Sequence, residues 1–138
     1  MKRAQIILYL VGRFLLGLYF IVPGLMKVTG FAGTAEYMAA NGMVFVPFFL
    51  VLTIVIQVGG GVSLAAGYRV PEVAFVLAGL VLVISLVMHD FWTLEEGLQK
   101  GHEMQNFIKN MAIMAGLLAL AGGQRQFDAI NPETMNRE

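Results

Sequence analysis

Four stretches of this chain are so long and so apolar that each needs lipid around it, and no other feature limits the fold as much. Crossing a hydrocarbon layer of about 30 Å takes about 20 mainly apolar residues, each adding roughly 1.5 Å of helix. The first stretch runs from about residue 5 to 26 and carries one charge, Arg13. Met1-Lys2-Arg3 ahead of it resembles the start of a signal peptide, but the apolar region is too long and lacks a small-x-small cleavage site, so a retained span is expected. The second, about 44 to 67, contains Gln57 and the triplet Gly59-Gly60-Gly61. Glycine lets helix backbones approach closely in lipid, so this is a packing face. The third, about 71 to 91, opens with Pro71, which suits a first helical turn. It is the most uniformly apolar, which predicts the greatest lipid exposure. The fourth, about 103 to 122, ends at Gly122-Gly123, a helix stop signal, with a polar tail over 124 to 138. The expectation is a single all-α membrane domain over 1 to 138, a four-helix transmembrane bundle whose partner is the lipid bilayer.

Composition narrows the function. The chain is 58% hydrophobic and 13% charged, against roughly 45–50% and 25% in soluble domains. Nine Lys plus Arg balance nine Asp plus Glu, so no basic excess calls for nucleic acid. The absence of cysteine excludes disulfides, thiolate catalysis and cysteine-ligated Fe–S clusters. No haem, flavin or phosphate-loop signature occurs, so a redox role needs a bound cofactor or a partner protein.

Charge also predicts orientation. Lys2, Arg3, Arg69, Arg125 and Arg137 flank one side, whereas Lys27 and Lys100 flank the other. The basic side is cytoplasmic, which places both termini there. Between the first two spans, residues 34 to 41 read as a short interfacial helix with Phe31, Tyr37 and Met38 dipping toward lipid. The last connection, from His89 to Gln105, is the longest polar stretch and holds both histidines.

Arg13, Gly17, Phe20, Gly24 and Lys27 recur every three or four residues and therefore share one helix face, packed against other helices. Arg13 either snorkels to the cytoplasmic headgroups or turns inward to Gln57 and forms an inner polar pocket. At the outer end, Lys109, Asn106 and Asn110 interrupt the start of the fourth span, on the same side as Lys27, His89, Asp90 and Trp92. These residues are either interhelical hydrogen-bonding glue or the wall of a half-open cavity for a small ligand. Glu103 is one of several acceptors within reach. His89, Asp90, His102 and Glu103 offer metal-ligating atoms, but no H-x-x-E-H or H-E-x-x-H spacing is present, and no metal is assigned. Trp92 beside Phe91 reads as an aromatic anchor at the membrane surface.

The ordered set R-F-L-L-G-L-Y-F-I-V-P-G-L-M-K at 13 to 27, G-F-A-G-T-A-E-Y-M-A-A-N-G at 30 to 42, Q-V-G-G-G-V-S-L-A-A-G at 57 to 67, H-D-F-W at 89 to 92 and F-I-K-N-M-A-I-M-A-G-L-L at 107 to 118 resembles the DoxX family. That resemblance implies a bacterial inner-membrane protein of four spans. The family includes subunits linked to thiosulfate:quinone oxidoreductase and to membrane redox complexes. The positions it carries over are Arg13, Gly24, Lys27, Gly60, Gly67, His89, Trp92, Lys109 and Asn110. Family members often have glutamate where this chain has Gln57, so a role that needs a membrane carboxylate, such as proton exchange, is not expected here. The resulting expectation is an accessory or quinone-associated subunit with a redox or other membrane partner, or a homo-oligomer. The alternatives are a non-enzymatic scaffold and a small-molecule transporter. No catalytic constellation is recognisable.

Overall fold

The computed structural model describes residues 2–131. Its elements are α1 (Lys2–Thr29), α2 (Phe31–Ala40), α3 (Val46–Ala66), α4 (Val70–Met88), a 3-10 turn (Phe91–Thr93) and α5 (Leu98–Ile130), with no strand among the described residues. Four of the helices are long and apolar enough to cross a membrane; α2, of 10 residues, is not. All-α and four spans are therefore what the chain folds into.

The bundle consists of two close helix pairs, α1 with α3 and α4 with α5, joined more loosely to each other. Glycine explains the first pair. A Cβ on Gly17 would lie 2.7 Å from the Gly61 carbonyl oxygen, and one on Gly61 would lie 2.6 Å from that of Gly17. The backbones thus touch, which maximises dispersion between helices that gain nothing from leaving lipid. Gly24 repeats the device against Val58, and Gly60 faces Leu77 of α4. Gly59 meets nothing within 4 Å and lies outside the packing face. The core joins Phe20, Leu64, Leu77, Val81 and Leu117. A smaller cluster of Met38, Leu50 and Met88 seats α2 on the bundle, so Met38, expected to dip toward lipid, is instead buried against α3 and α4. Large apolar side chains such as Leu8, Phe48 and Phe75 stay exposed, as a bilayer solvent allows.

Three expectations about the spans need correction. The third span does not face lipid most: α4 buries Ala74, Leu77, Ala78, Val81 and Ser85 along one face. Hydropathy cannot separate lipid-facing from helix-facing residues, and the small side chains carry that information instead. The Gly122-Gly123 pair does not stop α5, which continues to Ile130. Tyr9 holds the extra turns to α1: its ring stacks on Phe127 at 4.2 Å and its hydroxyl donates to Gln124 Oε1. The polar tail is thus helical as far as residue 130, and residues 132–138 lie outside the described residues. At its other end α5 begins at Leu98 rather than near 103, which shortens the last connection.

Candidate ligand cavity

A cavity of about 710 Å³ opens where the two helix pairs meet, beneath α2. Its wall brings together Lys27 from α1, Gln57 from α3, His89 at the end of α4, and Lys109 with Asn110 from α5. These five come from positions far apart in sequence and converge at the loop end of the bundle. The body of the cavity is apolar, walled by side chains such as Phe20, Leu50, Val81 and Met88.

Among the polar residues that line the cavity, the two carboxamides are the most buried. Gln57 is 6% exposed and Asn110 7%, and among the described residues neither side chain has a hydrogen-bond partner. Gln57 Oε1 is wholly buried. Lys27 Nζ reaches only the Pro23 carbonyl of its own helix, at 3.5 Å. Lys109 Nζ donates to Asn106 Oδ1 at 3.3 Å, also within its own helix. Asn106 itself is half-buried and does not line the cavity.

His89 is differently held. Its Nδ1 lies 2.6 Å from Glu103 Oε2, and both side chains are mostly buried. Glu103 Oε1 accepts from the Tyr37 hydroxyl at 3.3 Å, and the same hydroxyl lies 3.4 Å from the Met88 carbonyl. Burial first, then the neighbouring Glu103 carboxylate, push the Tyr37 phenol above its ordinary value. Glu103 therefore fixes the imidazole through Nδ1 and leaves Nε2 as the available ring nitrogen. Tyr37 belongs to this cluster rather than to lipid, and it ties α2 to α4 and α5. Sequence offered no signal for Tyr37, because the contact spans 66 residues. For Glu103, the requirement that a buried histidine be paired was a usable signal.

Arg13 and Gln57 do not meet. The antiparallel register set by Gly17 against Gly61 puts Gln57 beside Gly24, and about 16 Å of helix rise separates Gly24 from Arg13. Arg13 instead lies against the C-terminal end of α3, with Nη2 3.4 Å from the Ala65 carbonyl and the guanidinium packed on Gly67. No inner pocket joins the two, and Gln57 belongs to the outer cavity. Trp92 is also outside it: half-exposed, it packs edge-on against Phe91 and Phe107. Among the described residues no three metal-ligating side chains come together.

Fold and cavity together define a class: a small integral membrane protein of four spans, with an apolar cavity that carries a few polar groups at one end of the seam between its helix pairs. The chain belongs to the DoxX family, whose model matches residues 8–90. It is 35% identical over 122 residues to inner membrane protein YqjF of Escherichia coli (strain K12), covering 88% of this chain and 87% of that one. It is also similar to inner membrane protein YphA of the same organism, with 30% identity over 118 residues, 86% of this chain and 84% of that one. No solved structure matches the chain.

Proposed function

We propose that this chain is a ligand-holding accessory subunit of a membrane redox system. It takes a lipid-soluble molecule with a polar head out of the bilayer and holds it in the cavity, contributing no catalytic group of its own. The reading places it in the bacterial inner membrane, the location named for both relatives, and the Lys and Arg count supports cytoplasmic termini. One observation carries the reading: two carboxamides, Gln57 and Asn110, are more than nine-tenths buried, unpartnered, and set in the wall of a cavity of about 710 Å³. Each such group costs about 1–3 kcal/mol while its hydrogen bonds are unmade, a cost that a bound head group removes. The cavity falls within the roughly 300–1,000 Å³ of small-molecule sites.

The redox part rests on family resemblance. An isoprenoid quinone has the required apolar tail, and its ring carbonyls would accept from the carboxamide N–H groups. Electrons would pass to or from a separate protein, since the chain holds no carrier of its own. Native mass spectrometry of the protein, gently extracted from its own membrane, tests this. The expected result is a co-purifying lipid-soluble small molecule, lost in a folded Gln57→Leu, Asn110→Leu variant. A ligand-free chain bound to a stoichiometric protein partner would replace this reading with that of a scaffold.

A further inference from the structure

The reading of the cavity as a ligand site leaves the charge of the ligand's head open, and the inference below rests on that reading. Lys27 and Lys109 reach the cavity from different helices, α1 and α5. No aspartate or glutamate is among the residues that line it. Each ammonium group contacts only an oxygen of its own helix, Pro23 O and Asn106 Oδ1. The nearby acids are engaged elsewhere, Glu103 by His89 and Tyr37 and Asp90 by Thr93. Along α5, Lys109 lies six residues beyond Glu103, about 9 Å of helix rise deeper into the bundle.

Ionisable side chains within membrane spans pair with an opposite charge or line a site for one. Two cations on one cavity, the half-buried Lys27 and the exposed Lys109, with no acid among the lining residues, thus call for an anion, and the apolar wall strengthens its attraction to Lys27. The cavity's flank shows where the rest of that molecule goes. Leu52 of α3 and Val76 and Val83 of α4 line the cavity and are exposed. We take this apolar flank, between α3 and α4, as the lateral way out toward the bilayer.

We propose that the cavity takes an anionic amphiphile. A carboxylate or phosphate head sits between Lys27 and Lys109 and accepts hydrogen bonds from the Gln57 and Asn110 amides. An acyl tail follows the apolar wall to the gap between α3 and α4. A neutral quinone would satisfy the carboxamides and leave both ammonium groups unmatched.

The test uses the full chain in a neutral maltoside detergent, with native mass spectrometry and thermal midpoint as readouts. The probes are oleate, its neutral methyl ester, dioleoyl phosphatidate, inorganic phosphate and a short-tailed quinone. Oleate or phosphatidate is expected to bind once per chain, at least about ten-fold tighter than methyl oleate. The tighter of the two identifies a fatty acid or a phospholipid as the source. Lys27→Met and Lys109→Met should each weaken that binding by about ten-fold or more, while Lys109→Arg retains it. If the variants do not fold, the ratio of oleate to methyl oleate on the unmodified chain decides. Methyl oleate or quinone binding as tightly as oleate overturns the charge inference and leaves the ligand site standing. Displacement of oleate by equimolar inorganic phosphate overturns the role of the tail. Failure of every probe, neutral or anionic, removes the ligand site with it.

Discussion

The Gly59-Gly60-Gly61 triplet allows three alanine substitutions on consecutive residues to be separated by geometry alone. At Gly61 the new Cβ would lie 2.6 Å from the Gly17 carbonyl oxygen, 2.8 Å from Ile21 Cγ1 and 3.0 Å from Ile21 N. Ordinary contact begins near 3.4 Å, so α1 must retreat by about 0.8 Å, and the obstacle is backbone that no rotamer change can clear. Overpacking of this kind costs about 1–3 kcal/mol. Alanine returns about 0.5–1 kcal/mol through its higher helix propensity. Gly61→Ala should therefore destabilise by about 1–2 kcal/mol. At Gly60 the nearest atoms, at 3.0–3.1 Å, belong to the Leu77 side chain, which is fully buried but movable by a few tenths of an ångström. The two effects there are comparable, and the net change should be within about 0.5 kcal/mol. At Gly59 nothing lies within 4 Å, so Gly59→Ala should be neutral or stabilising by up to about 1 kcal/mol. Unfolding by SDS titration in mixed micelles, with far-UV circular dichroism, measures all three on one scale. Equal shifts at positions 59 and 61, or a larger loss at 59, would refute the packing of α1 on α3 described above.

At the other end of the same interface, Gly67→Ala combines a left-handed backbone, φ +80°, with a Cβ 2.6 Å from Arg13 Nη1. It should destabilise by more than about 1 kcal/mol, and by measurably less in an Arg13→Ala background; an unchanged cost there would show that Arg13 does not occupy that position. Tyr37→Phe should cost under about 1 kcal/mol at neutral pH, since the hydroxyl is half-exposed and its hydrogen bonds are long. Because the folded phenol is raised above its ordinary value near 10, the stabilisation is present below that value and lost as pH rises through it. The unmodified chain should therefore lose more stability than Tyr37→Phe above about pH 10, and parallel melting curves would contradict the burial of the phenol beside Glu103. Finally, with no background cysteine, Gln99→Cys should react with an impermeant thiol reagent in cells whose outer face alone is accessible, and Gln126→Cys only after lysis; the reverse pattern would invert the orientation.

The fold was legible wherever periodicity and small residues spoke together. Arg13, Gly17, Phe20, Gly24 and Lys27 share a face in the sequence pattern, and Gly17, Phe20 and Gly24 are the buried residues of α1. Where hydropathy spoke alone it misled, because lipid and the bundle interior are equally apolar. Hence α4, with its small inward residues Ala74, Ala78 and Ser85, was expected to face lipid. The end of α5 was misplaced for a related reason. A glycine pair weakens a helix locally, but the stacking of Tyr9 on Phe127 and the hydrogen bond to Gln124 are contacts across more than 100 residues, and they keep the helix going.

The site was half legible, and its missing half follows from register. Depth along one helix can be counted from its own end, and that suffices for Lys27, His89, Lys109 and Asn110, which all fall near the loop end of the bundle. Pairing Arg13 with Gln57 required knowing how α1 slides against α3. Once Gly17 rests on Gly61, each step along α1 is a step back along α3: Arg13 faces Ala65, and Gly24 faces Gln57. The consequence is a division of labour along the bundle. At the terminus end, Arg13 is occupied by the Ala65 carbonyl near where α3 finishes, a favourable place for a cation at a helix C-terminus. Gln57 is thereby left without that partner and joins Asn110, Lys27 and Lys109 on the seam where the helix pairs do not close. Polar groups that the tight interfaces could not have accommodated thus collect on the wall of the cavity. Moving Gln57 one turn inward, by exchanging Gln57 and Gly61, should therefore both break the α1–α3 contact and empty the cavity of its carboxamide, so that stability and ligand retention fall together. In contrast, Gln57→Leu should lose retention alone.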